Sequence, residues 1–169
     1  MNSLYITIIA MGLTAGNALA CWEEAGNKYG INAQLLYAIA KTESGLNPQA
    51  FNRNKNGSYD VGLMQINSVW FPTLRKHGIK EQQLYEPCTS IQVGAWILAQ
   101  NIQRMGNSWN AVGAYNSGDP ARRLRYALKV YKNLPPVQAV ARAGDASAIP
   151  DTRAARQTGK EDSVVIARD

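Results

Sequence analysis

The stretch NAQLLYAIAKTESGLNPQAFNRNKNGSYDVGLMQINSVW, Asn32 to Trp70, decides the fold. Its first third reads as a helix. Asn32 is an N-cap residue, Ala33 to Ser44 carry helical periodicity, and Gly45 is a stop signal. Leu35, Ile39 and Glu43 stand four apart and so share one stripe, apolar until Glu43. Asn52 to Ser58 is polar, and Asn56-Gly57 is a hairpin-type turn, so a short β-ribbon is expected from Phe51 to Ile66.

Downstream the helical pattern resumes, at Val69 to Lys76, Ser90 to Met105, Trp109 to Tyr115 and Pro120 to Asn133. Thr89 and Ser108 read as N-caps, Asp119-Pro120 as cap plus first helical residue, and Gly78 and Gly106 as stops. Trp70, Trp96 and Trp109 are expected in the core by default, with an edge of one exposed in a cleft as the alternative, and His77 on the surface at a helix end. The arginines and lysines of the last helix, Arg122, Arg123, Arg125, Lys129 and Lys132, read as a solvated face. The fold class is α+β, mainly α. Pro135-Pro136 ends the regular pattern. A flexible tail is expected over 141–169, with a short apolar patch at Val164-Val165-Ile166.

Upstream, Leu4 to Leu13 form an apolar run too short to span a bilayer, and Ala18-Leu19-Ala20 offers small residues for cleavage. Residues 1–20 are therefore expected to be a signal peptide, although no Lys or Arg precedes the apolar run. The mature domain would be 21–140, exported to the periplasm. Cys21 and Cys88 are the two cysteines. In an oxidising compartment they read as a disulfide; two buried thiols, or a lipidated Cys21 as the new first residue, are the alternatives.

The chain has 169 residues, enough for one domain, and a formal net charge of +6. A basic surface favours anionic partners without choosing among them. With one histidine and no CxxC, the sequence has no metal pattern, and no cofactor is expected. Nothing resembles a base-reading helix or an aromatic platform, so no specific nucleic acid is expected either.

The chemistry centres on Glu43. A carboxyl at a helix C-terminus faces the negative end of the dipole, and burial adds to the same bias, so the group tends to keep its proton. Such an acid can donate near neutral pH. Asp60, beyond the Asn-Gly turn, would come opposite Glu43 if the ribbon folds back across the helix end. A pair of carboxyls is what glycosidic cleavage needs.

Three blocks carry a resemblance. Glu43-Ser44, then Gly62-Leu63-Met64-Gln65-Ile66, then Ala114-Tyr115-Asn116 with Gly118 resemble the signatures of the soluble lytic transglycosylases, from about Trp22 to Leu134. The small exported size is similar to members that accompany conjugation, type IV pilus or type III secretion machines. The run from Glu43 to Trp70, with Asn52-Arg53-Asn54, Asp60 and Gln65-Ile66-Asn67-Ser68, also resembles the active-site stretch of C-type lysozymes. Many lytic transglycosylases lack a second carboxylate there, so Asp60 is a departure.

The resemblance implies a lysozyme-like fold with a small β-hairpin beside the cleft, acting as a monomer on peptidoglycan strands. Glu43 would be the general acid, with Asp60 as the second catalytic candidate. Ser44, Met64, Gln65, Tyr115 and Asn116 would form the substrate-binding set. Within it Tyr115 would orient Glu43, and Asn116 would hold substrate or the local turn. The Met64 thioether by itself reads as a filler of apolar gaps. Tyr131 resembles a further family tyrosine near the cleft, with a core position on its amphipathic helix as the alternative. The lytic reaction, water-based hydrolysis through Glu43 and Asp60, and a non-catalytic wall-binding assembly factor are the three functions left open.

Overall fold

Six helices and a small sheet make up the described residues, 15–136, of a computed structural model. The expected tail, and the expected leader up to residue 14, lie outside the described residues. Contacts unite the chain through Pro135 in one unit, with the residues from Pro136 in another.

Helix α1, Ala15–Tyr29, runs through the expected cleavage point after Ala20, where no cap residue in the sequence marks a helix start. Helix α2, Ala33–Ser44, starts where Asn32 accepts a hydrogen bond from the Gln34 N–H, and stops at Gly45, left-handed at φ 63°. Leu36 and Ile39 on its inner face are fully buried; each contributes roughly 1.5–3 kcal/mol.

The expected hairpin is a three-stranded antiparallel sheet: β1 (Phe51–Arg53), β2 (Tyr59–Val61) and β3 (Ile66–Asn67). Asn52 pairs with Asp60, and Asp60 with Asn67. The third strand exists because the chain turns again between Gly62 (φ 76°) and Gln65 (φ 49°). Gly62 is required twice over. Its φ is left-handed, and a Cβ there would lie 2.0 Å from the Leu84 carbonyl oxygen.

A short 3-10 turn, Ser68–Trp70, leads into α3 (Phe71–Lys76), and a second, Glu81–Tyr85, precedes α4 (Pro87–Met105). Helix α4 begins earlier than the sequence indicates. Its cap is Glu86 with Pro87 in the first turn, and Thr89 lies inside the helix. Pro87 is compatible with a first helical turn because that position needs no donated N–H. Helix α4 packs on α1, α2 and α5 (Trp109–Gly113). Gly94 lets Met64 approach it; a Cβ there would meet the Met64 side chain at 2.6 Å. Ser108 and Asp119 cap α5 and α6 (Pro120–Lys132) as expected, and α6 lies against α5 and α2.

Cys21 and Cys88 form a disulfide that ties α1 to the start of α4. Trp109 is not core: it is 40% exposed and packs edge-on against Tyr131. No helix of the described residues is long and apolar enough to cross a membrane.

Candidate active site

Glu43 is the last-turn residue of α2, one turn beyond the buried Ile39 and Ala40, so the core stripe delivers it half-buried into a cleft of about 690 Å³. Asp60, Gln65, Trp70, Tyr115 and Asn116 line the same cleft. The structure therefore brings together both carboxyls and three of the five residues expected to bind substrate.

Burial pushes the Glu43 carboxyl from its ordinary 4.5 to about 7. The Tyr126 hydroxyl, donating to Glu43 Oε1 at 2.5 Å, opposes that rise. The charge on Asp60 adds to it, and Lys129 opposes it. An acid poised near 7 can give up a proton and take one back at neutral pH.

Asp60 is an acceptor at the centre of an amide clasp. Asn67 donates to its Oδ1 at 2.6 Å, Asn54 to Oδ2 at 2.8 Å, and Asn52 reaches Oδ2 at 3.4 Å. The sheet register explains this, since Asn52 and Asn67 sit opposite Asp60 on the two flanking strands.

Gln65 is held in the left-handed region at φ 49°, and its amide donates to the Gly62 and Ala50 carbonyls at 2.9 and 3.2 Å. Such a conformation in a non-glycine residue is a sparsely used one, found often at functional sites. Ser44 does not spend its hydroxyl on the open cleft. It donates to the Leu63 carbonyl at 2.7 Å and fixes the end of α2 to the turn before Gln65. Met64 is a correction: its side chain is fully buried against Gly94 and does not line the cleft. Its backbone does the work instead, with the N–H donating to Ser90 Oγ and the carbonyl accepting from Tyr115.

The orienting residue is also corrected. The Tyr115 hydroxyl donates to the Met64 carbonyl at 2.9 Å, and it is Tyr126 that holds Glu43. The two rings stack with centroids 6.5 Å apart. Burial, and then the charge on Glu43, hold both phenols well above their ordinary 10, so both remain donors. Tyr131 faces away, 61% exposed. The signal for Tyr126 was its place on the inner stripe of α6, beside buried Ala127 and Val130. Asn101 and Arg104 also line the cleft without having been anticipated; the guanidinium donates to Asn101 Oδ1 at 2.5 Å. Among the described residues, no group of three or more His, Cys, Asp or Glu could hold a metal ion.

A half-buried acid and a clasped carboxylate in one polar cleft are the groups that glycosidic-bond cleavage uses. Comparison with known proteins agrees. Residues 20–134 match the family described as "Transglycosylase SLT domain". The chain is 46% identical over 139 residues to the invasion protein IagB of Salmonella typhimurium, a match covering 79% of this chain and 86% of that one. It is 44% identical over 117 residues to protein IpgF of Shigella flexneri, covering 66% and 77%. The fold is similar to the X-ray structure of an inactive mutant of the lytic transglycosylase Slt from Pseudomonas aeruginosa, with a TM-score of 0.51 and 27% identity. That match covers 70% of this chain and spans only 21% of the other. This chain belongs to the transglycosylase SLT-domain family, and its fold is the mainly helical, lysozyme-like one of the lytic transglycosylases.

Proposed function

We propose that this enzyme cuts the β-1,4 bond between N-acetylmuramic acid and N-acetylglucosamine in peptidoglycan and closes a 1,6-anhydro ring on the muramic acid. The observation that carries the reading is the Glu43 carboxyl, raised to about 7 and aimed by Tyr126 in a polar cleft. Glu43 protonates the bridging oxygen as the C1–O bond breaks, and the acetylglucosamine chain leaves with that proton. The sugar's own N-acetyl oxygen stabilises the positive C1. Glu43, now a carboxylate, takes the proton of the C6 hydroxyl as that oxygen bonds to C1. No water is consumed, and the acid is restored.

One observation favours a second reading. Asp60, clasped by three asparagine amides in the same cleft, is suited to stabilise the cation while water attacks, as in a hydrolytic muramidase. Mass spectrometry of fragments released from purified peptidoglycan separates the two. Ends lighter by one water are expected; reducing muramic acid ends would transfer the reaction to the hydrolytic class. A folded protein that binds the wall and releases nothing would leave an assembly factor.

The same reading places the enzyme outside the cytoplasm, bound to the wall, opening it locally for a secretion, pilus or conjugation apparatus. The 46% identity to a protein named for invasion supports that setting, and the Cys21–Cys88 bridge supports an oxidising compartment. Residues 1–20 would be removed on export, with Cys21 as the first mature residue; N-terminal sequencing of the periplasmic form checks this.

A further inference from the structure

A second cavity, of about 260 Å³, adjoins the cleft at Glu43, Asn116 and Arg122, which line both. Its outer wall is α6, which contributes Arg122, Arg125 and Lys129. Those positions are three and four apart and so project from one helical stripe. The sequence reads this helix as a solvated basic face, and all three cations are indeed exposed; they also form the wall of this cavity. Among the described residues none of the three side chains has an ion pair or a hydrogen bond. Helix α6 contains no Asp or Glu. The only carboxyl in the wall is Glu43, one acidic group facing three cations, with Lys129 acting on it electrostatically. Stacked like charges of this kind repel one another unless an anion sits among them.

We propose that Arg122, Arg125 and Lys129 form a carboxylate-binding subsite that reads the peptide stem of the muramic acid next to the bond being cut. This rests on the substrate reading above. In a peptide-bearing strand the lactyl carboxyl of muramic acid is neutral, tied up as the amide that holds the stem, so the free carboxylates are those of the peptide. Guanidinium groups suit a carboxylate because their planar fork gives two parallel hydrogen bonds. An open cavity beside the acid, continuous with the cleft, is where a substituent of the reacting sugar would emerge. The enzyme therefore distinguishes peptide-bearing strands from bare ones.

The test compares kcat/KM of the full chain, of Arg125→Ala and of Arg125→Lys on three soluble substrates. These are strands with natural stems, the same strands with stem carboxylates converted to carboxamides, and strands stripped of peptide by an amidase whose freed lactyl carboxylates are then also converted to carboxamides. Arg125 is exposed, so its loss leaves the core untouched. The wild-type protein is expected to prefer free-carboxylate strands about tenfold, the effect of one charge-assisted contact. Arg125→Ala loses that preference while matching wild type on the other two substrates, and Arg125→Lys retains most of it. A wild type indifferent to amidation, or an Arg125→Ala variant slowed equally on all three, overturns the subsite. The ends released from stripped strands report separately on the transglycosylase reading, since no stem is present there.

Discussion

Tyr126 donates its phenolic hydrogen to Glu43 Oε1 across 83 positions of sequence, at 2.5 Å. The contact both aims the acid and works against the rise that burial imposes on it. In Tyr126→Phe the carboxyl loses that opposition, and its pKa moves above about 7. The alkaline limb of the kcat/KM profile then shifts to higher pH, while the maximal rate falls on the order of ten- to a hundredfold from lost positioning. An unchanged limb would deny the hydrogen bond its electrostatic role.

Burial of Glu43 also links stability to pH. The folded state binds this proton more tightly than the unfolded chain, at about 7 against 4.5. The stabilisation is complete below 4.5 and is lost as pH rises through about 7, a difference of roughly 3 kcal/mol at most. Glu43→Gln has no such proton to lose. It is expected to abolish cleavage, to keep the fold, and to melt higher than wild type at pH 8 but not at pH 4. Calorimetry at the two pH values checks the sign.

At Asp60 the clasp makes substitution by asparagine unlike a simple loss of charge. One oxygen becomes an amide that must face Asn54 or Asn67, donor against donor. Asp60→Asn should cost about 1–3 kcal/mol in stability. Because the Asp60 charge raises Glu43, the alkaline limb should move to lower pH. Under the one-carboxylate mechanism, kcat at the new optimum stays within about tenfold of wild type; a loss beyond about a hundredfold assigns Asp60 to the sugar cation.

The Cys21–Cys88 bridge closes a loop of 67 residues and fastens α1 to α4. Reduction, or Cys88→Ser, should remove about 4 kcal/mol from stability, seen as a lower melting temperature. Activity at low temperature should survive, because neither cysteine lines the cleft.

The local signals of the sequence were legible wherever chemistry fixed the backbone. Asn32 and Gly45 bounded α2, Ser108 and Asp119 started α5 and α6, and the spacing from Ile39 to Glu43 delivered the acid. What sequence did not disclose depended on phase and on distant partners. Tyr126 and Tyr131 lie on one helix, and only packing against α2 and α5 decides which turns inward. Thr89 resembles a cap as well as Glu86 does, until Pro87 is seen to fit the first turn. Met64 stands within the signature block, yet its side chain faces Gly94, a neighbour thirty residues away in sequence. The amide clasp on Asp60 needed the register of the sheet, which the Asn56-Gly57 turn alone does not set.

The dependence of Glu43 on Tyr126 also governs timing. A chain made N-terminus first presents its acid long before α6 arrives. Until that helix docks, the carboxyl has neither its phenolic partner nor the wall that buries it, and it titrates as an ordinary glutamate. The raised acid is thus a property of the completed domain: a polypeptide that ends before residue 126 carries Glu43 without the phenol that aims it.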